Sequence, residues 1–187
     1  SGGRYNEPAS IDLAKNLKEL CFSLMRFKTG TCPRLDKKTI DFSKLTIQYG
    51  DDNPKPFSFS TERITQTQVP CYITYTNEKT HKIILDNLDK SPLYTGIIKA
   101  TGVRYCPSVE DKIVKFRDKQ RHQVFLEPQG LDTDEIYPNG LSTSLPEEVQ
   151  LKILHSISGL EEVKVIRFGY GIEHTVVDAR ELYPTLE

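Results

Sequence analysis

Apolar and polar positions follow two rhythms along this chain, and their order predicts its elements. Ile11, Leu13, Leu17 and Leu20 recur near helical spacing behind Ser10, a residue type that caps helix N-termini. Residues 22–27 then shift toward alternation and predict a strand. Lys28-Thr29-Gly30-Thr31-Cys32-Pro33-Arg34 reads as a tight turn, residues 41–45 as one helical turn, 50–54 as a surface turn and 57–59 as a short strand. Cys71-Tyr72-Ile73-Thr74-Tyr75 is the clearest strand, β-branched and aromatic. Thr76 or Asn77 caps a helix reaching Leu88, with His81, Ile84, Leu85 and Leu88 on one face.

Further on, Pro107-Ser108 starts a short helix. Asp111 is placed as a capping-box-like partner, and Ile113, Val114 and Phe116 are the expected buried stripe. Gln123-Val124-Phe125-Leu126 predicts a strand, with Glu127 at its end. Residues 135–137 and 141–145 predict a hairpin around Pro138-Asn139-Gly140. Pro146, at the first helical position, opens a helix with Val149, Ile153, Leu154 and Ile157 as core stripe, and Gly159 ends it. Residues 163–177 are extended and broken at Gly169-Tyr170-Gly171. Antiparallel strands mixed with short flanking helices make the fold class α+β.

Composition narrows the chemistry. The 187 residues carry 37% hydrophobic and 27% charged positions and a formal net charge of -1, ordinary for a folded protein and without a strong field. No apolar run approaches the roughly 20 residues that span a bilayer, and no secretory signal is visible. Cys21, Cys32, Cys71 and Cys106 are scattered without metal-binding spacing, which favours a reduced, cytoplasmic setting. The ends, Ser1-Gly2-Gly3 and Pro184-Thr185-Leu186-Glu187, read as those of an excised piece of a larger protein, or in part as a cloning remnant.

Cys106 is the sharpest candidate. It lies on the turn before a helix N-terminus and two residues from Arg104. Both features favour the nucleophilic thiolate; the alternative is a small buried hydrophobe. Residues 104–122 carry Arg104, Lys112, Lys115, Arg117, Lys119 and Arg121 against Glu110, Asp111 and Asp118. That local positive patch suits phosphate, and equally a solvated helix face. The hydroxyl-rich 28–34 turn could hold a phosphate or a flavin edge, or be a plain turn. His81 reads as a packing residue, since no second ligand type lies a turn away.

Four motifs carry a family resemblance across the whole chain. They are Lys28-Thr29-Gly30-Thr31; Arg104-Tyr105-Cys106-Pro107-Ser108-Val109-Glu110-Asp111-Lys112; His122-Gln123-Val124-Phe125-Leu126-Glu127-Pro128; and Tyr137-Pro138-Asn139-Gly140-Leu141-Ser142-Thr143-Ser144-Leu145-Pro146. In these the sequence resembles the GidA/MnmG family of tRNA uridine 5-carboxymethylaminomethyl modification enzymes. The resemblance implies an insertion region, residues 1–187 with sub-parts 1–100 and 101–187, of a Rossmann-type, glutathione-reductase-like FAD protein. The family's G-x-G-x-x-G loop and C-terminal helical domain are missing from this piece, which alone is expected to be inactive. The parent is implied to be a homodimer that binds FAD, mainly outside this piece, and NADH. With an MnmE-type GTPase and methylenetetrahydrofolate it would modify carbon five of the tRNA wobble uridine.

Carried over by position, Cys106 matches the family's insert cysteine, as nucleophile at carbon six of uracil or as an acid–base group. Gly102, Val103, Arg104, Tyr105, Cys106, Pro107, Ser108, Val109, Glu110, Asp111, Lys112, Ile113, Val114, Lys115 and Phe116 match the stretch assigned to NAD. There Ser108 and helix-start amides would meet phosphate, Arg104 and Lys112 would supply charge, and Tyr105 a stacking face for nicotinamide or RNA. The alternative is a non-catalytic tRNA- or partner-docking insert with a structural cysteine. Two departures stand out. Cys32 replaces a proline usual before Arg34, and Phe168-Gly169-Tyr170-Gly171-Ile172-Glu173-His174 differs from Pro-Gly-Tyr-Ala-Ile-Glu-Tyr at three places.

Overall fold

A computed structural model describes residues 4–186. In chain order the elements are α1 (Ile11–Glu19), β1 (Leu24–Gly30), β2 (Arg34–Asp36), β3 (Thr46–Gln48), β4 (Cys71–Tyr75), α2 (Glu78–Leu85) and β5 (Thr101–Gly102). They continue with α3 (Val109–Lys115), β6 (Gln123–Pro128), β7 (Glu135–Asn139), α4 (Glu147–Leu154), β8 (Val165–Arg167) and β9 (Gly171–Val177). The α+β reading holds. One sheet runs β3-β4-β6-β7-β2-β8, antiparallel throughout, and a smaller one runs β5-β1-β9, where only the two-residue β5 pairs parallel.

The large sheet and the helices share one core. Alternation puts Val124 and Leu126 of β6 on the same face as Ile136 of β7 and Leu35 of β2, all essentially fully buried. Ile84 of α2, Val109 and Ile113 of α3, and Val149, Ile153 and Leu154 of α4 close over that face. Each fully buried aliphatic side chain contributes roughly 1.5–3 kcal/mol. Asn77 caps α2 through a full capping box with Thr80, and its amide also donates to Ser156 O at 2.6 Å, tying the helix to the turn after α4.

Two chain crossings join the sheets side by side. The first leaves β1 at Gly30 and enters β2 at Arg34; the second leaves β8 and enters β9 through Gly169 and Tyr170. The Thr31 N–H donates to Tyr170 O at 2.9 Å, and the Tyr170 N–H to the Thr31 hydroxyl at 2.8 Å. Gln150 reaches up from α4, its side-chain oxygen accepting from the Gly169 N–H and its nitrogen donating to the Gly169 carbonyl, both at 2.8 Å. The buried Gln150 therefore satisfies backbone groups that neither sheet pairs.

Several expected elements differ. The first strand is displaced to Leu24–Gly30 because it pairs with β9 along its whole length, from Leu24↔Val177 to Gly30↔Gly171. Lys28, Thr29 and Gly30 are thus strand residues, not a turn. Helix α1 forms, but Ser10 makes no side-chain cap and Ile11, Leu13 and Leu20 are exposed, so its stripe buries nothing. Residues 57–59 are not a strand, and Phe57 and Phe59 project into solvent. Helix α2 stops at Leu85, leaving Leu88 in a separate 3-10 turn, and Phe116 is exposed beyond the end of α3. The hairpin lies elsewhere: β6 pairs with β7, while 141–145 is a buried, irregular segment. Pro146 is the N-cap of α4 rather than its first helical residue.

Candidate active site at the junction of the sheets

Cys106 lies where the two sheets meet. Ser108 is the N-cap of α3 and its side chain accepts from the Asp111 N–H at 3.2 Å, which fixes the turn carrying Cys106. The reciprocal half of the box is absent, because the Asp111 carboxylate accepts from the Tyr94 hydroxyl at 3.0 Å. On the other side, Thr29 near the end of β1 donates its hydroxyl to the Cys106 carbonyl at 2.8 Å and lies 3.8 Å from Sγ. The thiol is exposed, as is Tyr105, over whose ring the Arg104 guanidinium sits at 5.5 Å.

Beneath this turn runs the segment Ser142-Thr143-Ser144, buried at every position. The Ser142 carbonyl accepts from the Val109 N–H at 2.7 Å, and its hydroxyl donates to Pro107 O at 3.2 Å. Thr143 bridges Thr31, its N–H donating to the Thr31 carbonyl at 3.0 Å. Gly30 makes this approach possible, since a Cβ there would lie 2.6 Å from the Thr143 nitrogen. One buried segment thus grips both α3 and the end of β1.

Glu110 locks that grip. It is fully buried in the first turn of α3, with Oε1 accepting from the Ser144 N–H at 3.1 Å and the Ser91 hydroxyl at 3.3 Å. Oε2 is buried without a partner. Burial pushes this carboxyl above its ordinary range. Lys112, two residues on, donates to Gly140 O at 3.2 Å, and burial pulls its ammonium down. Cys32 is buried next to the Tyr137 hydroxyl, and burial pushes both groups up. The substituted thiol is therefore packed inside, and His174 sits on the strand edge at 6.0 Å from the Phe27 ring.

Within 102–116 the structure divides the expected binding residues. Gly102, Arg104, Tyr105, Cys106, Lys115 and Phe116 are exposed; Val103, Pro107, Asp111, Lys112 and Val114 are half-buried; Ser108, Val109, Glu110 and Ile113 are buried. The Ser108 hydroxyl and the Val109 and Asp111 N–H groups already have internal partners. Of the side chains expected to supply charge and stacking, Arg104 and Tyr105 are therefore open to a ligand, and the half-buried Lys112 is turned to Gly140. His81 and His122 pack together with ring centroids 5.4 Å apart, and no group of three metal-ligating side chains occurs among the described residues. Sequence reasoning missed the individual roles of Thr29, Glu110 and the 142–144 segment. The signal for Glu110 was its place beside Val109 on the face that also carries Ile113.

The fold and site define a helix-backed antiparallel α+β unit that presents an exposed cysteine on a capped turn between two sheets. Over residues 1–187 the chain matches the family model of glucose inhibited division protein A, and it belongs to that family. It is 57% identical over 186 residues to the tRNA uridine 5-carboxymethylaminomethyl modification enzyme MnmG of Geobacter sulfurreducens, and 58% identical over 185 residues to that of Thermodesulfovibrio yellowstonii. The chain spans 30% of the length of these relatives. The crystal form I structure of Aquifex aeolicus GidA matches with a TM-score of 0.86 at 60% identity, covering 100% of this chain and 32% of that one.

Proposed function

We propose that this chain is the insertion region of a flavin-dependent tRNA-modifying enzyme and that it presents Cys106 to the wobble uridine. The observation that carries this reading is the exposed thiol beside the exposed Tyr105, on a turn held from both sides by Thr29 and Ser142. A structural cysteine would be buried, so this exposure favours the catalytic reading over a docking insert. In the parent, the relatives' reaction would install a carboxymethylaminomethyl-type group on carbon five, with an MnmE-type GTPase and methylenetetrahydrofolate, in a cytoplasmic homodimer. FAD, bound mainly outside this chain, and NADH supply the redox chemistry when present. On this chain, Arg104 would meet the dinucleotide's phosphates and Tyr105 its ring or the target base.

The step assigned to this chain is covalent. The Cys106 sulfur adds to carbon six of uracil, and the ring's electron pair moves onto carbon five and its neighbouring carbonyl. Carbon five would then form a bond to the one-carbon unit, whose bond to its carrier nitrogen breaks and leaves its electron pair on that nitrogen. Loss of the carbon-five proton and expulsion of the thiolate restore the ring. Tyr105 can hold a base drawn out of the anticodon stack, and Thr29 fixes the backbone from which the thiol projects.

Cys106→Ser in the full-length protein, assayed with the GTPase partner, tests this. Wobble-uridine modification is expected to be lost while flavin absorbance and tRNA affinity stay at wild-type values. Retained modification would remove the nucleophile and leave a docking role.

A further inference from the structure

A second feature lies at the other end of α3. After Lys115 the chain runs Phe116-Arg117-Asp118-Lys119-Gln120-Arg121-His122 into β6. Two neighbouring clefts flank this loop and share Glu78 and Gln120. One, of about 510 Å³, is lined by residues including Lys44, Tyr75, Asn77, Gln120, Arg121 and Ser158. The other, of about 390 Å³, includes His81, Lys82, Asp86, Arg117 and Lys119. No residue lining either belongs to 102–116.

The charges here are not all neutralised. Lys82 pairs with Asp86 at 2.9 Å and Lys44 with Glu161 at 3.1 Å. Arg117, Lys119 and Arg121 enter no ion pair among the described residues. Glu78 and Asp118 are the remaining acids of the clefts and loop. Arg121 lies over the Tyr75 ring at 4.3 Å, forming a flat cationic–aromatic face at the first cleft. Its polar walls include Thr74, Thr76 and Asn77. Beneath, His122 Nε2 is buried without a partner, and the His122 N–H donates to the Thr76 hydroxyl at 2.8 Å.

We propose that this face binds the single-stranded phosphodiester backbone of the RNA whose base reaches Cys106. Arg117, Lys119 and Arg121 would contact phosphates, and one unpaired base would stack on the Tyr75–Arg121 face. The inference rests on the proposed function and extends it to a second contact. The seven residues of α3 span about 10 Å, so one short helix leads from the Cys106 turn to this loop. Free cations around a stacking ring suit single-stranded RNA. A protein interface would instead centre on apolar residues and be depleted in lysine.

The experiment compares the full-length protein with its Arg117→Ala/Lys119→Ala/Arg121→Ala variant, titrated with substrate tRNA between 50 and 200 mM KCl. Loss of three phosphate contacts should weaken binding roughly tenfold or more and make the plot of log affinity against log salt shallower by about 2. Flavin absorbance and the Cys106 alkylation rate should not change. Tyr75→Leu should weaken binding about fivefold or more with the salt slope intact. Wild-type affinity and slope in the triple variant overturn the proposal. So does loss of GTPase-partner binding with tRNA binding kept, which makes the face a protein surface. A wild-type protein that binds no tRNA sinks the proposed function along with this inference.

Discussion

Replacing Glu110 separates the two things its carboxyl does, because glutamine and alanine remove different parts of it. In Glu110→Ala the Ser144 N–H loses its acceptor inside the protein, and the Ser91 hydroxyl keeps only its 2.9 Å bond to the Ser144 hydroxyl. A buried unpaired donor costs about 1–3 kcal/mol, and the space left by the side chain adds to it. A loss of about 2–4 kcal/mol in urea unfolding of the 187-residue chain is expected. Glu110→Gln keeps an oxygen for Ser144 and carries no charge, so at pH 5 it should stay within about 1 kcal/mol of wild type.

The pH dependence then discriminates further. A carboxyl raised by burial from its ordinary value of 4.5 holds its proton in the folded state at pH values where the unfolded chain has released it. Its stabilising contribution is complete below the unfolded value and declines as pH rises toward the folded one, by at most about 1.4 kcal/mol per pH unit. Glutamine has no such decline. His81 and His122, both lowered by burial, act in the opposite direction: their contribution is present above the unfolded value and is lost as pH falls through the folded one. They are common to both proteins and cancel in the difference. Glu110→Gln should therefore gain stability relative to wild type as pH rises above the ordinary carboxyl range. Parallel stability curves for the two proteins, or a glutamine variant as damaged as the alanine one, would refute a protonated Glu110 and require an ionised carboxylate.

Two further outcomes follow from the same junction. Gly30→Ala places a methyl 2.6–2.8 Å from three backbone atoms of Thr143, so the 142–144 segment must move; a loss of about 3 kcal/mol, read by thermal unfolding, is expected. Alkylation by iodoacetamide, followed by peptide mass mapping, should modify Cys106 and Cys21 first and Cys32 last. The first two thiols are exposed, whereas Cys32 is buried and pushed up by that burial.

Local rules served well where local chemistry decides the outcome. Ser108 as N-cap follows from one hydroxyl reaching one amide three residues on, and β4 from alternation in five residues. The stripes of α1 and α4 look alike in sequence, yet α4 buries Val149, Ile153 and Leu154 while Ile11 and Leu13 of α1 stay in water. Periodicity names a face; whether anything covers it is decided by the fold around it. The 28–34 segment failed for a related reason, because its hydroxyls and glycine match a turn. The antiparallel register with β9, set more than 140 residues away, holds Lys28, Thr29 and Gly30 extended.

The most consequential misreading concerns 141–145, because it concealed how the site is built. In sequence these five residues read as the second strand of a hairpin around Pro138-Asn139-Gly140. In the fold all five are buried, and the hydroxyls do the work of a missing ladder: Ser142 to Pro107, Thr143 to the Leu145 N–H, Ser144 to Ser91. A buried irregular segment is stable only if its polar groups find such partners. Here the partners are the turn before α3, the end of β1 and Glu110. The Cys106 turn is thus positioned by a polar network rather than by apolar packing. That network joins Thr31 at the sheet crossing to the turn that holds the thiol. Disturbance at the crossing, as in Gly30→Ala, therefore reaches the Cys106 turn by two routes: through Thr143 and Ser142 to Pro107, and through the neighbouring Thr29, whose hydroxyl holds the Cys106 carbonyl.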